Sequence, residues 1–425
     1  MRFFFGEFLT TMNEINTSNK HRFLLTPQYL AGIVVLVASI IFALIMSRTE
    51  AILAPLWLLA MAAGFTLQRS RFCFASAFRD LFLFGSARTM KAILLGLAIA
   101  TIGFAIIMHS KISGASAGFG YFPDEAHILP VGISTIIAGL LFGFGMVISG
   151  GCVSGSLYRM AEGYLGSWVV IGGVLIGIGL LNHTWNWWWN TIISNEPRIW
   201  LPAINGFGYS IGIFVTLLAL FGIYLLVVWW ESRAGMFMPV HSTEQEPAET
   251  FSEKIDSLWN TVFVNGWPVA VGGSVLAVIV ILMYMVHMPW GVTGDLARLT
   301  SVIMTSLSIS PPEALGLGDM GCFSGDGTSG LFSHTFTSTV GLLPGALIGA
   351  LFAKEFKIRR PRKATRYIQS LGGGIIMGYG AGLGFGCTIG AFFSAIPSLS
   401  LSGWIFGLAI AGGSFIGVQA IKRIP

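Results

Sequence analysis

Charge is the scarcest thing in this chain. Only 24 Lys or Arg and 19 Asp or Glu occur in 425 residues, or 10% charged, against about 25% in ordinary soluble domains. A water-facing surface cannot be built from so few, which excludes a soluble globular protein. The net charge of +5 sits mostly in two loops and reads as topology information, not as a nucleic-acid surface. Cysteine is scarce too. Cys73, Cys152, Cys322 and Cys387 include no C-x-x-C pair, and the nearest two lie 65 residues apart. No redox pair or zinc site is encoded locally, and no metal or other cofactor is expected. Nothing matches G-x-x-x-x-G-K-[ST], so direct ATP drive is not expected. The apolar runs do not alternate, which excludes a barrel. No small-residue cleavage site follows the first of them, so the opening segment is expected to be retained.

What is there is apolar length. Hydrophobic residues make up 54%, in continuous runs of about 18–22 residues, the length of a membrane helix. Spans are expected near 29–47, 51–67, 92–109, 129–150, 165–181, 209–230, 267–288, 336–353, 368–386 and 402–421. The stretch 231–260, with six acidic and two basic residues, reads as a linker. WNWWWN at 185–190 reads as an interfacial aromatic cluster. Residues 69–91 hold five Lys/Arg against Asp80 alone, and 354–366 hold seven against Glu355 alone. Both loops should be cytoplasmic. With both termini inside, that requires 292–330 to dip in and return, and the halves to be inverted.

The halves also share a sequence frame. Gly143, Gly145, Gly151, Cys152 and Gly155 recur at identical spacing as Gly378, Gly380, Gly386, Cys387 and Gly390. The expected fold is therefore an all-α polytopic membrane protein of two inverted-topology repeats, with broken helices and re-entrant loops. Its parts are an N-terminal segment and first span (1–50), a first repeat with Cys73 and Cys152 (51–230), the polar cytoplasmic linker (231–260) and a second repeat with Cys322 and Cys387 (261–425). Inverted repeats with interrupted helices are how many transporters build a midplane site. Glycine lets a solute approach the backbone, and a helix starting after a break offers N–H groups to an anion. The bland alternative is close helix packing on small residues. For the duplicated frame, with its cysteine, the site reading is preferred.

Cys73 lies in RSRFCFASAFRD (69–80), between Arg71 and Arg79, where guanidinium groups would draw anions. Positive-inside topology explains the charge, though not its concentration around one thiol. Cys322 reads as a small buried residue or a loop thiol.

RSRFCFASAFRD, FGFGMVISGGCVSGSLYRMAEG (142–163), PWGVTG (289–294) and GYGAGLGFGCTIGAFFSAIPSLSLSGW (378–404) together resemble the YeeE/YedE-type sulfur-transport family, which includes bacterial thiosulfate uptake permeases. The wording is nearest the YedE branch. The resemblance covers roughly residues 50–425 without the linker. It implies a permease of the cell inner membrane whose three core cysteines, here Cys73, Cys152 and Cys387, hold the sulfur of the anion in passing. Cys322 has no place in that set. PWGVTG takes the position of the Cys73 segment in the second half without a thiol, so the site should be asymmetric.

The pathway residues are then Cys73, Cys152, Cys387, Gly151, Gly155, Gly386 and Gly390, with Arg71 and Arg79 at the cytoplasmic end. Tyr158, Arg159 and Glu162 order the loop after Cys152 or meet a partner. Neutral thiols suit passage, since a thiolate would repel an anion and a tightly held ion would not leave. Thiosulfate is the default cargo; selenium or sulfide-like compounds fit the same chemistry, and the resemblance suggests a small cytoplasmic sulfur carrier or sulfurtransferase as receiver. An open anion channel of the same fold is a further alternative. The rival class is an intramembrane thiol oxidoreductase, which needs two thiols with Cα atoms within about 7 Å.

Overall fold

A computed structural model describes residues 27–112, 123, 126–204, 208–234, 259–309, 313–316 and 333–423. Cys322 and most of the linker lie outside the described residues. The chain runs through α1 (Pro27–Met46), α2 (Leu53–Ser70), α3 (Phe74–Phe84), α4 (Arg88–Ile112), α5 (Ile133–Ser149), α6 (Val153–Ala161), α7 (Leu165–Thr191) and α8 (Gly208–Ala234). Then follow α9 (Val269–Val286), α10 (Thr293–Ser306), α11 (His334–Val340), α12 (Leu342–Phe352), α13 (Thr365–Leu383), a π-helical turn (Thr388–Ser394) and α14 (Leu401–Arg423). Helix is the form that closes every backbone hydrogen bond within one segment, as an apolar solvent demands. Among the described residues seven helices are long and apolar enough to cross a membrane, or eight if α13 and the π-helical turn, bent by 46°, count as one span. The protein is an all-α, multi-pass membrane protein.

Two of the expected spans have a different character. The run at 51–67 forms α2, which is not among the seven, because it ends in Gln68, Arg69 and Ser70 and buries that last turn inside the protein. The run at 336–353 forms a shorter apolar stretch, Phe336–Phe352. Of the stretch 292–330, α10 is described and residues 310–312 and 317–332 are not. The tryptophan cluster closes α7. Trp187 is exposed, but Trp185 donates to Leu315 O at 2.9 Å and Trp188 to the Tyr379 hydroxyl at 2.8 Å, so part of the cluster serves internal packing.

The helices pack reciprocally. α7 lies on α13 as α14 lies on α5, while α5 and α13 meet each other. Likewise α4 lies on α9 as α12 lies on α2, and α2 meets α9. Matching α2, α4, α5 and α7 to α9, α12, α13 and α14 exchanges every one of these pairs. α1 and α8 stand at the margin with mostly exposed apolar side chains such as Val34, Leu44, Phe214 and Leu226, as lipid-facing helices can.

The duplicated glycines make the central contacts possible. A Cβ on Gly143 would sit 2.3 Å from Ile410 O of α14, and one on Gly378 2.3 Å from Val174 O of α7. Gly139 and Gly374 make the same exchange, against Phe406 O and Val170 O. Gly145 abuts Met377 N, and Gly380 abuts Ala138 O. This part of the frame is therefore helix packing, the reading the sequence had ranked second. Backbones at such range admit no side chain.

Orientation is tested by labelling. Cysteines introduced at Ser86 and Ala364, in the two basic loops, are expected to react with a membrane-impermeant maleimide only from the cytoplasmic face. Labelling of either one from outside intact cells overturns the assignment.

Candidate functional site

All three described cysteines are buried, and each sits in the same local device. A helix stops, the residue two before the cysteine takes a positive φ, and the cysteine is extended just before the next helical turn. The left-handed residues are Arg71 (φ 50°), Gly150 (φ 82°) and Phe385 (φ 54°). Cys73, Cys152 and Cys387 follow at φ −144°, −77° and −90° and lead into α3, α6 and the π-helical turn. A left-handed residue is a common helix stop, and arginine and phenylalanine there, without glycine's freedom, show the surroundings imposing it.

Two of the three breaks meet. Cys73 Sγ and Cys152 Sγ lie 4.0 Å apart, with Cys73 1% and Cys152 0% exposed. Cys152 Sγ also accepts from Gly155 N at 3.3 Å and lies 3.5 Å from Ser154 Oγ. The α6 N–H expected to await an anion is thus already taken by the thiol. Gly155 leaves the room for this pair, since a Cβ there would fall 2.8 Å from Cys73 Sγ and 3.1 Å from Cys152 Sγ. Cys387 is 0% exposed, and among the described residues no hydrogen bond joins it to the other two. Gly386 is closed against Ala391 N, 2.6 Å from where a Cβ would stand, and Gly390 is buried within the π-helical turn. Beside Cys387 the buried Thr388 hydroxyl has no hydrogen-bond partner among the described residues, and the same holds for the Thr293 hydroxyl and the Trp290 indole N–H of the PWGVTG segment. Buried donors without partners are uncommon.

On the face carrying both basic loops, a cleft of about 450 Å³ is lined by Arg71, Tyr158, Arg159, Glu162, Tyr164, Glu355 and Arg359. Glu355 is its hub: Arg71 Nη2 meets Oε1 at 2.9 Å, while Gln68 Nε2 and Arg69 Nη1 meet Oε2 at 2.9 and 3.5 Å. Burial pushes the Glu162 carboxyl above the usual carboxylate range, opposed by a hydrogen bond with Gln68 and by Arg159. Of the two arginines expected at the pathway's end, Arg71 lines this cleft. Arg79 does not, because it pairs with its neighbour Asp80 at 2.9 Å and lines no cleft described here. Arg159, seven residues after Cys152, stands there in its place, with Nη1 on Gly150 O at 2.8 Å and Nε 3.4 Å from the Tyr158 hydroxyl. Sequence reading assigned Arg159 and Glu162 only to loop order or a partner, and missed Tyr164, Glu355 and Arg359. A solitary acid in a run of seven cations was the available sign of Glu355.

Comparison with known proteins places the arrangement in context. A family model described as sulphur transport matches residues 69–416. The chain is 27% identical over 364 residues to the thiosulfate transporter TsuA of Spirochaeta thermophila, covering 83% of this chain and 94% of the relative. It is 24% identical over 343 residues to the thiosulfate transporter TsuA of Escherichia coli, covering 80% and 87%. Over a shorter stretch of 202 residues, 48% of this chain and 47% of the relative, it is 34% identical to the Salmonella typhimurium protein named "Probable transporter YedE".

The thiol pair makes a stability prediction. Gly155→Ala forces a methyl between two sulfurs and should destabilise by about 1–3 kcal/mol, the usual range for overpacking. Gly151→Ala meets nothing nearer than Ser156 Oγ at 3.2 Å and Arg159 Nη1 at 3.5 Å, and should cost less. Melting of the purified variants decides it: equal melting temperatures for Gly155→Ala and wild type contradict the 4.0 Å pair.

Proposed function

The chain belongs to the sulphur transport family, and from that premise we propose that it is a permease that takes up a small sulfur-containing anion, thiosulfate by default, across the cell inner membrane. The observation that carries the reading is the buried Cys73–Cys152 pair beside an arginine-lined cleft on the basic face. The TsuA relatives named as thiosulfate transporters, matched over most of both chains, support the choice of cargo. The two transport repeats are 51–230 and 261–425, inverted with respect to one another. Reciprocal helix packing supports a two-fold relation between them, and the inversion follows if both basic loops are cytoplasmic, as their charge leads one to expect.

Passage runs through weak successive contacts. On the basic face Arg71 and Arg159 attract the anion. Within the protein the S–H groups of Cys73, Cys152 and Cys387 give soft, neutral donors to its sulfur, and the unpartnered Thr388, Thr293 and Trp290 donors are available to its oxygens. The second half thus carries hydroxyl and indole donors at the place where the first half carries Cys73.

One geometric fact favours a second reading. Sulfurs 4.0 Å apart need only a modest approach to bond, which is the kind of pair an intramembrane thiol oxidoreductase would use. A Cys73–Cys152 disulfide that forms during turnover and is needed for it would select that reading over the permease.

Uptake of labelled thiosulfate into proteoliposomes containing only this protein is the direct test. Cys73→Ala, Cys152→Ala and Cys387→Ala should each lower uptake about 5- to 150-fold, the equivalent of about 1–3 kcal/mol for a lost donor. Because Cys73 and Cys152 act as one pair, their double variant should lose less than the product of the single losses, whereas Cys387→Ala should multiply with either. Normal uptake by all three alanine variants would falsify the thiol pathway.

Glu162 sets a pH dependence. Its carboxyl is held above the ordinary range by burial, so it gains a proton as pH falls from neutral before an exposed glutamate would. Losing that charge favours an anion in the cleft. Uptake should therefore rise on mild acidification in wild type, and Glu162→Gln should be fast at neutral pH with a flattened profile. A profile unchanged by the substitution removes Glu162 from the path.

A further inference from the structure

At the end of α9 away from the basic cleft lies a small pocket of a different kind. The chain enters α9 beside the end of α2, with Trp267 N on Arg69 O at 2.9 Å. The helix then runs for 18 residues, about 27 Å at 1.5 Å per residue. Past its end His287, Trp290 and Gly291 line the pocket together with His334 and Ser338 of α11. Its volume is about 20 Å³, room for one water and too little for thiosulfate. The two imidazoles meet edge to face with ring centroids 4.7 Å apart. His334 Nε2 reaches Glu50 Oε2, just ahead of α2, at 2.5 Å. We propose that His287, His334 and Glu50 form a proton-binding site that holds a second mouth of the pathway closed while the imidazoles are neutral, and opens it when both are protonated.

The ligand is a proton because the groups are titratable and the space is that of a water. Histidine is the side chain whose charge ordinarily changes between about pH 5 and 8. A proton on His334 completes an ion pair with Glu50. A second proton, on His287, sets two like charges side by side, and one carboxylate offsets only one of them. The rings belong to different elements, so the repulsion acts between the end of α9 and the start of α11. The other titratable or charged groups described on the surrounding elements do not line the pocket. Arg48 is exposed, His109 of α4 stacks on Tyr209 and Tyr284 packs on Phe104. Asp295 of α10 accepts from the Thr339 hydroxyl, and Arg298 lies a turn further along that helix.

What the contact covers is the PWGVTG segment. Trp290 is 2% exposed, and its indole N–H and the Thr293 hydroxyl are among the buried donors without hydrogen-bond partners in the described residues. Trp290 O accepts from Ser394 Oγ at 2.8 Å, which ties the segment to the π-helical turn after Cys387. Movement of the α9 end away from α11 therefore uncovers donors next to the third break. The two mouths then differ in kind, since one carries fixed guanidinium charge and the other carries charge only with protons. The proton site stands on its own geometry, whereas its use as a mouth rests on the uptake reading above.

Cysteine accessibility in the purified full chain tests the site without transport. Ser338→Cys puts a thiol in the pocket, and Ala364→Cys, exposed in a basic loop, corrects for the pH dependence of thiolate and reagent. Rates with a methanethiosulfonate probe are read at each site by mass spectrometry between about pH 8 and about pH 5.5. The ratio of the pocket rate to the reference rate should rise about tenfold or more on acidification, equivalent to about 1.4 kcal/mol in the balance of closed and open. With His287→Gln added only one imidazolium can form, and the rise should vanish. His334→Gln gives the same test if His287→Gln does not fold. A flat ratio with both histidines present, or a rise that survives both substitutions, overturns the proton site. Thiosulfate uptake into proteoliposomes is then measured in Glu162→Gln, which removes the cleft's own response to pH. Acid stimulation that remains there should be lost when His287→Gln is added, tying the site to the pathway. Acid-dependent opening with no thiosulfate uptake at any pH keeps the site and overturns the permease. Uptake with no histidine-dependent response to pH keeps the permease and overturns the mouth.

Discussion

A helix that stops in an apolar interior strands backbone donors and acceptors where water does not reach, and each stranded group costs several kcal/mol unless protein satisfies it. Three such stops occur here, at Cys73, Cys152 and Cys387, and much of the fold can be understood as their enclosure. At the first, Arg71 N–H turns back to Gln68 O. At the second, Arg159 reaches back to Gly150 O and the Cys152 sulfur takes Gly155 N–H. At the third, Gly386 N–H bonds Ala381 O and Ala391 N–H bonds Cys387 O. Each closure is local, made by residues within about ten positions of the break. Each needs helices close around it to keep lipid out.

That closeness explains the glycines. The duplicated frame serves two purposes along one helix, and the dividing point is the helix stop. Before it, Gly139, Gly143 and Gly145, like Gly374, Gly378 and Gly380, press backbone against backbone. After it, Gly151 and Gly155 make room for a guanidinium and for two sulfurs. Site and packing were posed as competing explanations of one motif. They are consecutive stretches of it, and the second could not exist without the first.

The helical class, the interruptions and the cysteines at them were legible because each has a one-dimensional signature: apolar length, a repeated glycine frame and charge confined to loops. What stayed hidden depended on distance in space. Cys73 and Cys152 are 79 residues apart in sequence, and their 4.0 Å contact depends on two helix breaks meeting in space, which no local pattern encodes. Arg79 looked equivalent to Arg71 by its distance from Cys73, yet Arg71 occupies a left-handed helix stop facing Glu355 while Arg79 lies within α3 beside its own acid. The helix stop between them separated them. Glu355 and Arg359 come from the far half of the chain and were read as topology signals, a reading that masked a second use in the cleft.

The distribution of charge then bears on how an anion could move. Arg71 and Arg159 stand at the cleft with Glu355 and Glu162 beside them, whereas the groups next to the three buried sulfurs are neutral: thiols, hydroxyls and backbone N–H. A fixed cation at a water-free break would have an attraction large enough to trap the ion, since interaction energies rise steeply as the local dielectric falls. Neutral donors offer compensation for lost water without that trap, at the cost of weaker capture. Cations at the mouth supply the capture where water still screens them. At the second break the two kinds of group come close along the chain, since Arg159 holds Gly150 O and only Gly151 stands between that anchor and Cys152.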